Sequence, residues 1–240
     1  CLVPDMTGNA RGKFIPADKF VKEDSRLPES ILVQTVTGDY TDIHDELVDP
    51  MDTDMSLVPD DNTMRLVPWA EDPTGQIIHD CYNLDGELHP LASRTVLRKI
   101  LKLYESAGLK PIVAPEVEFY LVSKNTDPDY ELIPPKGRSG RRESARLSYS
   151  IDAVAEFEDF VEDMYDYADA QMLDVDTLIH ENGAAQMEIN FRHGDPMALA
   201  DQVFVFKRTV RETAHKYNMY ATFMAKPMKN EPGSALHIHQ

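Results

Sequence analysis

The chain has 240 residues, with 42 Asp and Glu against 24 Lys and Arg, and a formal net charge of −18 at pH 7. So acidic a chain excludes nucleic acid and anionic membrane surfaces as partners, since both are negatively charged. A hydrophobic fraction of 42% supports a proper core in one large or two modest domains, and no apolar run approaches the roughly 18 residues of a membrane span.

Cys1 and Cys81 are the only cysteines, too few for a disulfide framework, which points to a reducing cytoplasm. The N-terminus has no charged segment followed by an apolar run, so no signal peptide is read there. The chain opens without Met and stops at Gln240, directly after a His-x-His stretch, and reads as a piece of something longer.

Residues 1–90 read as strand-rich and irregular, with short strands at 2–5, 12–15 and 31–37 separated by Gly, Pro and Asp. The acidic stretch 38–54 reads as a solvated loop. Residues 64–69 and 76–82 read as two further strands around a Pro-Thr-Gly turn. Ser93 is the expected cap of a helix over 94–107, with Val96, Leu97, Ile100, Leu101 and Tyr104 on its buried stripe and Gly108 as its stop.

A strand over 110–122 follows, then a loop over 124–149 carrying Lys136, Arg138, Arg141, Arg142 and Arg146. The plain reading is a surface loop; the sharper one is a mobile basic segment that approaches phosphates or a neighbouring subunit. A helix is predicted from Asp152, burying Val154, Phe157, Val161, Met164, Tyr165 and Ala168. Strands at 175–180 and 186–191 come next. Pro196 opens a helix over 197–216 that turns Leu199, Val203, Phe206, Val210 and Ala214 inward. Strands at 220–224 and 236–239 flank a Gly/Pro-containing loop. This order describes α+β, an antiparallel sheet with helices on its outer face.

Three strands have unusual polar faces. Period-two alternation puts Gln186, Glu188 and Asn190 on one side of 186–191 and Met187, Ile189 and Phe191 on the other. Glu116 and Glu118 share a face about 6.6 to 7 Å apart, and His237 and His239 do likewise. Glu181 follows the 175–180 strand, and its spacing to Glu188 fits a turn that brings both carboxylates to one end of the sheet. A lone Glu in a strand is usually exposed or salt-bridged, and a lone His is usually a satisfied core residue. Together they make a pocket of hard oxygen ligands with one or two nitrogens, suited to divalent metal and phosphate. Burying several carboxylates without cations would cost several kcal/mol per ion, about 2 or more, so they sit in water or bind metal.

The segments Ala-Pro-Glu-Val-Glu-Phe (114–119), Gln-Met-Glu-Ile-Asn (186–190), Ala-Thr-Phe-Met-Ala-Lys-Pro (221–227) and Gly-Ser-Ala-Leu-His-Ile-His (233–239) resemble the catalytic domain of glutamine synthetases, closest to the γ-glutamylpolyamine and γ-glutamylamide synthetase branch. Asp5-Met-Thr-Gly-Asn-Ala-Arg-Gly-Lys13 resembles the Asp-x-x-Gly-x-x-Arg-Gly-Lys segment of that branch's N-terminal β-grasp domain.

The resemblance implies a partial β-grasp domain over 1–90 and, over 91–240, the first part of a catalytic domain built on a curved antiparallel sheet of the type shared with guanidino kinases. It implies that Glu118, Glu181 and Glu188 hold one Mg²⁺ or Mn²⁺ and that Glu116 and His237 hold a second. Glu181 and His239 become catalytic candidates. His239, with Arg192 and His193, falls on the ATP side, and Gly233, Glu118 and Glu181 line the substrate pockets. The remaining metal ligand, nucleotide- and glutamate-binding arginines and a flap glutamate would lie beyond residue 240.

The implied reaction is phosphorylation of the γ-carboxylate of glutamate by ATP, followed by attack of an amine on the acyl phosphate. The implied assembly is a ring-type homo-oligomer in which a neighbour's β-grasp domain completes each site. Two departures weaken the ammonia-dependent reading and favour a bulkier amine, a polyamine or other alkylamine, or another carboxylate. Pro232-Gly233 stands where ammonia-using enzymes commonly carry Asn-Gly, and Thr7 falls where an Asp would bind ammonium. The alternatives are an ammonia-dependent glutamine synthetase and a catalytically silent assembly protein of the same family. A guanidino kinase holds ATP mainly with arginines and has no call for Glu-x-Glu with His-x-His.

Overall fold

The computed structural model describes residues 1–125 and 127–240. By packing they form two compact units, Cys1–Val67 with Asp72–Pro111, and Pro68–Glu71 with Ile112–Gln240.

The first unit contains strands β1 (Leu2–Pro4), β2 (Ala10–Gly12), β3 (Ser25–Pro28), β4 (Asp54–Pro59), β5 (Arg65–Leu66), β6 (Gly75–Gln76) and β7 (His79–Tyr82). Its helices are α1 (Ala17–Phe20), α2 (His44–Leu47) and α3 (Ser93–Ser106). β3, β4 and β7 form an antiparallel sheet, and β1–β2 and β5–β6 form antiparallel pairs. Val3, Leu27, Leu32, Val33, Met55, Leu57 and Cys81 make its core.

Asp5 is the pivot between β1 and β2. Its Oδ1 accepts the N–H groups of Thr7 and Asn9, both at 2.9 Å, and the Thr7 hydroxyl at 2.8 Å, while Oδ2 accepts Arg11 Nε at 2.8 Å. That clamp closes the turn early, so the second strand falls at 10–12 and not at 12–15. The strand expected at 31–37 is instead a 3₁₀ turn, Glu29–Val33. Leu32 and Val33 are neighbours and both fully buried. Asp52 holds the turn by accepting the N–H of Ser30 at 3.1 Å and its hydroxyl at 2.9 Å.

Helix α3 forms where expected, but its buried face differs. Val96 and Ile100 are 48% and 46% exposed, and the buried residues are Arg94 and Thr95. Arg94 sets that rotation through ion pairs to Asp60 (2.5 Å) and Asp80 (2.7 Å). Ser93 is not the cap: Ala92 takes that position, and the Ser93 hydroxyl donates to the Asp5 carbonyl at 3.1 Å. These ties make α3 part of the first unit, which by packing runs to Pro111.

The second unit is built on strands β8 (Ala114–Ser123), β9 (Val175–His180), β10 (Gln186–Phe191), β11 (Met219–Thr222) and β12 (Leu236–His239), with helices α4 (Ile151–Ala155), α5 (Glu158–Ala170) and α6 (Pro196–Lys216). The antiparallel sheet runs β11-β8-β10-β9. β12 also pairs with β8: it covers the first half of the strand, Ala114 to Val117, and β11 covers the second, Tyr120 to Ser123.

One face of this sheet is apolar. Phe119, Met187, Ile189 and Phe191 are buried, with Phe191 edge-on to Phe206 of α6 at 5.3 Å and Phe119 at 6.5 Å from Phe160 of α5. Asp195 caps α6 by accepting the Ala198 N–H at 3.0 Å, ahead of Pro196 at its first position. The helix expected from Asp152 is two helices. The break falls at Phe157, with φ of −122° and ψ of 29°, just after Glu156, whose carbonyl accepts the Arg138 N–H (2.9 Å) and whose carboxylate accepts the Ser139 N–H (3.1 Å).

Candidate metal and phosphate site

The polar face of the second sheet collects the singled-out side chains through strand register. Glu188 lies opposite Glu118, Asn190 opposite Glu116, and Gln186 opposite Tyr120. On the other edge of β8, His237 lies opposite Glu116. Cross-strand partners stand on one face, so three strands, β8, β10 and β12, contribute to one floor. Glu181 sits one residue past β9, where its N–H donates to the Gln186 carbonyl at 2.8 Å and keeps it level with Gln186.

Glu116, Glu188 and His237 each present a ligand atom within 4.8 Å of one another. Ligands on opposite sides of one hard cation stand about 4 to 5 Å apart at metal–oxygen bonds of about 2.0–2.6 Å, so this donor set fits a divalent ion. His237 Nδ1 is 3.3 Å and His239 Nε2 is 2.9 Å from the two oxygens of Glu116. Glu118 and Glu188 are buried, at 8% and 6% exposure. The Glu188 carboxyl is pushed up to about 7, first by burial and then by the charges of Glu116, Glu181 and Glu118, against a smaller opposing pull from His237. At neutral pH the pocket holds more negative charge than its own residues balance.

Gln186 frames the pocket with four hydrogen bonds. Its Nε2 donates to Glu118 Oε2 (2.9 Å) and to the Gly233 carbonyl (3.0 Å), and its Oε1 accepts from the Gly183 N–H (2.9 Å) and the Tyr120 hydroxyl (3.1 Å). The Tyr120 hydroxyl also reaches the Pro232 carbonyl at 2.8 Å. Burial, followed by the charges of Glu231 and Glu118, raises this phenol above its ordinary range, which keeps it a donor. Both glycines are needed for space: a Cβ on Gly183 would lie 1.9 Å from the Tyr120 hydroxyl, and one on Gly233 would lie 2.8 Å from the Ala225 carbonyl.

Five expected metal-site residues therefore share one face. The tightest trio, Glu116, Glu188 and His237, draws on both of the expected ion sets. Glu181 is half-buried, with its Oε2 accepting the Asn182 N–H at 3.2 Å, and its charge reaches Glu188. His239 is exposed beside Glu116. Arg192 and His193 lie exposed just past β10, with Arg192 Nε 3.7 Å from Asp176. Sequence reasoning missed Tyr120, although the alternation through Glu116 and Glu118 puts it on the same face. It also missed His180 and Glu143, 2.9 Å apart beside the pocket, and no local pattern marks Glu143.

Residues 90–240 match the family profile for the glutamine synthetase catalytic domain. The chain belongs to the glutamine synthetase family, whose members use ATP and divalent metal ions. It is 33% identical to the gamma-glutamylputrescine synthetase of Escherichia coli over 99% of this chain and 51% of the relative. It is 31% identical to the glutamate–isopropylamine ligase of a Pseudomonas species over 98% of this chain and 52% of the relative. The chain thus spans about half the length of the relatives it matches, which are carbon–nitrogen ligases. A solved structure described as a novel glutamine synthase homologue shares the fold, with a TM-score of 0.83 at 20% identity over 99% of this chain and 53% of the other. Among the described residues no helix is long and apolar enough to cross a membrane.

Proposed function

We propose that this chain carries the metal-binding floor of an ATP-dependent ligase that joins an amine, a polyamine or other alkylamine, to the γ-carboxylate of glutamate through a γ-glutamyl phosphate. The observation that carries the reading is the convergence of Glu116, Glu188 and His237 on one point, with Glu188 pushed up to about 7 by burial and then by the neighbouring carboxylates. The similarity to relatives named for putrescine and isopropylamine supports the choice of amine.

In this reading Glu118, Glu181 and Glu188 hold one Mg²⁺ or Mn²⁺ and Glu116 with His237 holds the other. Bound there, the cations would neutralise phosphoryl charge and clamp both sides of the transfer. Gln186 fixes the Glu118 carboxylate, so it meets its ligand already oriented. His239, on the rim beside Glu116, contacts the phosphates, with Arg192 and His193 further along the nucleotide side. Gly233 and Glu181 border the glutamate and amine pockets, and the close approach at Gly233 leaves no room there for a side chain.

By family pattern the chain divides into a partial β-grasp domain at 1–90 and the first part of the catalytic domain at 91–240. The protein assembles as a ring of identical subunits and works in the cytoplasm, where cysteines such as Cys1 and Cys81 stay reduced. Light scattering on the full-length protein tests the ring, and a monomer would refute it.

The deciding experiment is phosphate release by the full-length protein with Mg²⁺-ATP and glutamate against ammonia, putrescine, spermidine, ethanolamine and monoalkylamines. Release that depends on an alkylamine or polyamine is the expected result. Release with ammonia alone would replace it with the ammonia-dependent reading, and silence across the panel with intact ATP binding would point to an assembly protein.

A further inference from the structure

Next to the metal floor, on the other side of the sheet, lies a buried pair that the reaction as described does not use. His180, the last residue of β9, is fully buried and lies opposite Met187 on the apolar face. Its Nδ1 is 2.7 Å from the carbonyl oxygen of Glu181, and its Nε2 is 2.9 Å from Glu143 Oε2. A carbonyl only accepts, so Nδ1 carries the hydrogen of that bond, and Nε2 faces the Glu143 carboxylate. The same Glu143 oxygen accepts the N–H of Ala185 at 2.8 Å, and Ala185 holds a left-handed backbone with φ of +57°.

Glu143 thereby ties together the two ends of the turn 181–185, which carries the Glu181 carboxylate. Two neighbouring bonds reinforce the tie. The Tyr149 N–H donates to the His180 carbonyl at 2.8 Å, and the Ser148 hydroxyl donates to Asn182 Oδ1 at 2.6 Å. Glu143 is also the one acid between Lys136 and Ser148, among Arg138, Arg141, Arg142 and Arg146. Its partners explain an acid within that basic run: one carboxyl oxygen meets an imidazole and a backbone N–H at once, which a basic side chain cannot do.

We propose that Glu143 and His180 are a positioning pair that orients Glu181 toward the metal floor, so that the basic loop 124–149 governs divalent-cation binding from outside the pocket. The inference rests on the reading of Glu181 as a metal ligand. Outer partners that orient ligands typically matter by about 10–100-fold in metal affinity.

The test is equilibrium Mn²⁺ binding by electron paramagnetic resonance in the full-length protein and in Glu143→Ala, Glu181→Gln and the double variant. Wild type should bind, each single variant should bind about 10–100-fold more weakly, and the double variant should bind no more weakly than Glu181→Gln. This non-additivity separates positioning from a general loss of structure, which would add in full. Glu143→Gln keeps the bulk and an acceptor oxygen while removing the charge, so it should weaken binding less, and it carries the same cycle if Glu143→Ala does not fold.

Glu143→Ala binding like wild type, or an effect fully additive with Glu181→Gln, would overturn the pair while leaving Glu181 as a ligand. If Glu181→Gln binds like wild type, the ligand reading itself fails and the pair's role goes with it.

Discussion

Each unit of the chain contains a cluster of carboxylates, and the two are resolved in opposite ways. In the first unit Asp60 and Asp80 meet Arg94 and Arg98: Arg94 reaches both acids at 2.5 and 2.7 Å, and Arg98 grips Asp80 with two bonds of 2.6 Å. Burial acts to raise the Asp60 carboxyl, yet hydrogen bonds from Arg94 and Asn62 bring it below its ordinary range. In the second unit Glu116, Glu118, Glu181 and Glu188 act on one another, with the His237 and His239 imidazoles beside Glu116, and the Glu188 carboxyl rises to about 7, first by burial and then by the neighbouring carboxylates. Charge balanced internally marks a structural network, whereas charge left unbalanced in a rigid frame marks a place for a cation from outside.

Breaking the balanced cluster should have the largest effect. Arg94→Ala leaves two carboxylates short of a buried partner and should cost about 3–5 kcal/mol, read as a lowered denaturant midpoint. A loss under about 1 kcal/mol would erase the distinction between the clusters.

The unbalanced cluster should respond through ligand affinity. Glu188→Gln removes a proposed ligand directly and should weaken Mn²⁺ binding at least as much as loss of an outer partner, about 100-fold, in a calorimetric titration. An unchanged affinity would dismiss the site.

Gly183→Ala sharpens the account of the frame. Its Cβ would sit 1.9 Å from the Tyr120 hydroxyl, so the variant should lose about 1–3 kcal/mol of stability through overpacking, visible as a lower melting temperature.

The pH dependence is the smallest effect. The folded Glu188 carboxyl titrates near 7 and the unfolded one near 4.5, so between those values the native state binds more protons. Without cation, stability is therefore lost as pH rises from about 4.5 through about 7, by about 1.5 kcal/mol after solvent screening. Denaturation of metal-free protein at pH 5 and pH 8 measures it. Glu188→Gln should flatten this component and saturating Mn²⁺ should reverse it. A slope unchanged in Glu188→Gln would show that the charge is balanced after all.

Much of the second unit was legible in the sequence. The strands at 175–180 and 186–191 match β9 and β10 residue for residue, because two-residue alternation with β-branched and aromatic side chains has one good reading. Pro196 marked the start of α6 for a similar reason. The five candidate ligands were found because each breaks the expected bland polar face.

The failures share a cause. The buried face of α3 is set by Arg94 pairing with Asp60 and Asp80, 34 and 14 positions away, and apolar periodicity carries no trace of such a bond. The helix expected from Asp152 breaks at Phe157, beside Glu156, whose partners Arg138 and Ser139 lie in the preceding loop. Glu143 reaches its site from 37 residues before His180. Contacts of this kind are decided by tertiary placement, which local pattern does not encode.

The last strand deserves a separate consequence. β12 pairs with β8 alone, and Leu236 and Ile238 on its other face are 55% and 52% exposed, so little buried apolar area pins its alignment. A slip by one residue would turn both imidazoles to the far side and show Glu116 an aliphatic side chain instead. The alignment is held just upstream, where the Glu118 N–H bonds the Ala235 carbonyl at 3.2 Å and Gly233 nestles against Ala225. The Pro232-Gly233 dipeptide thus works as an indexing notch, which chooses the side chain that Glu116 meets across the strand gap.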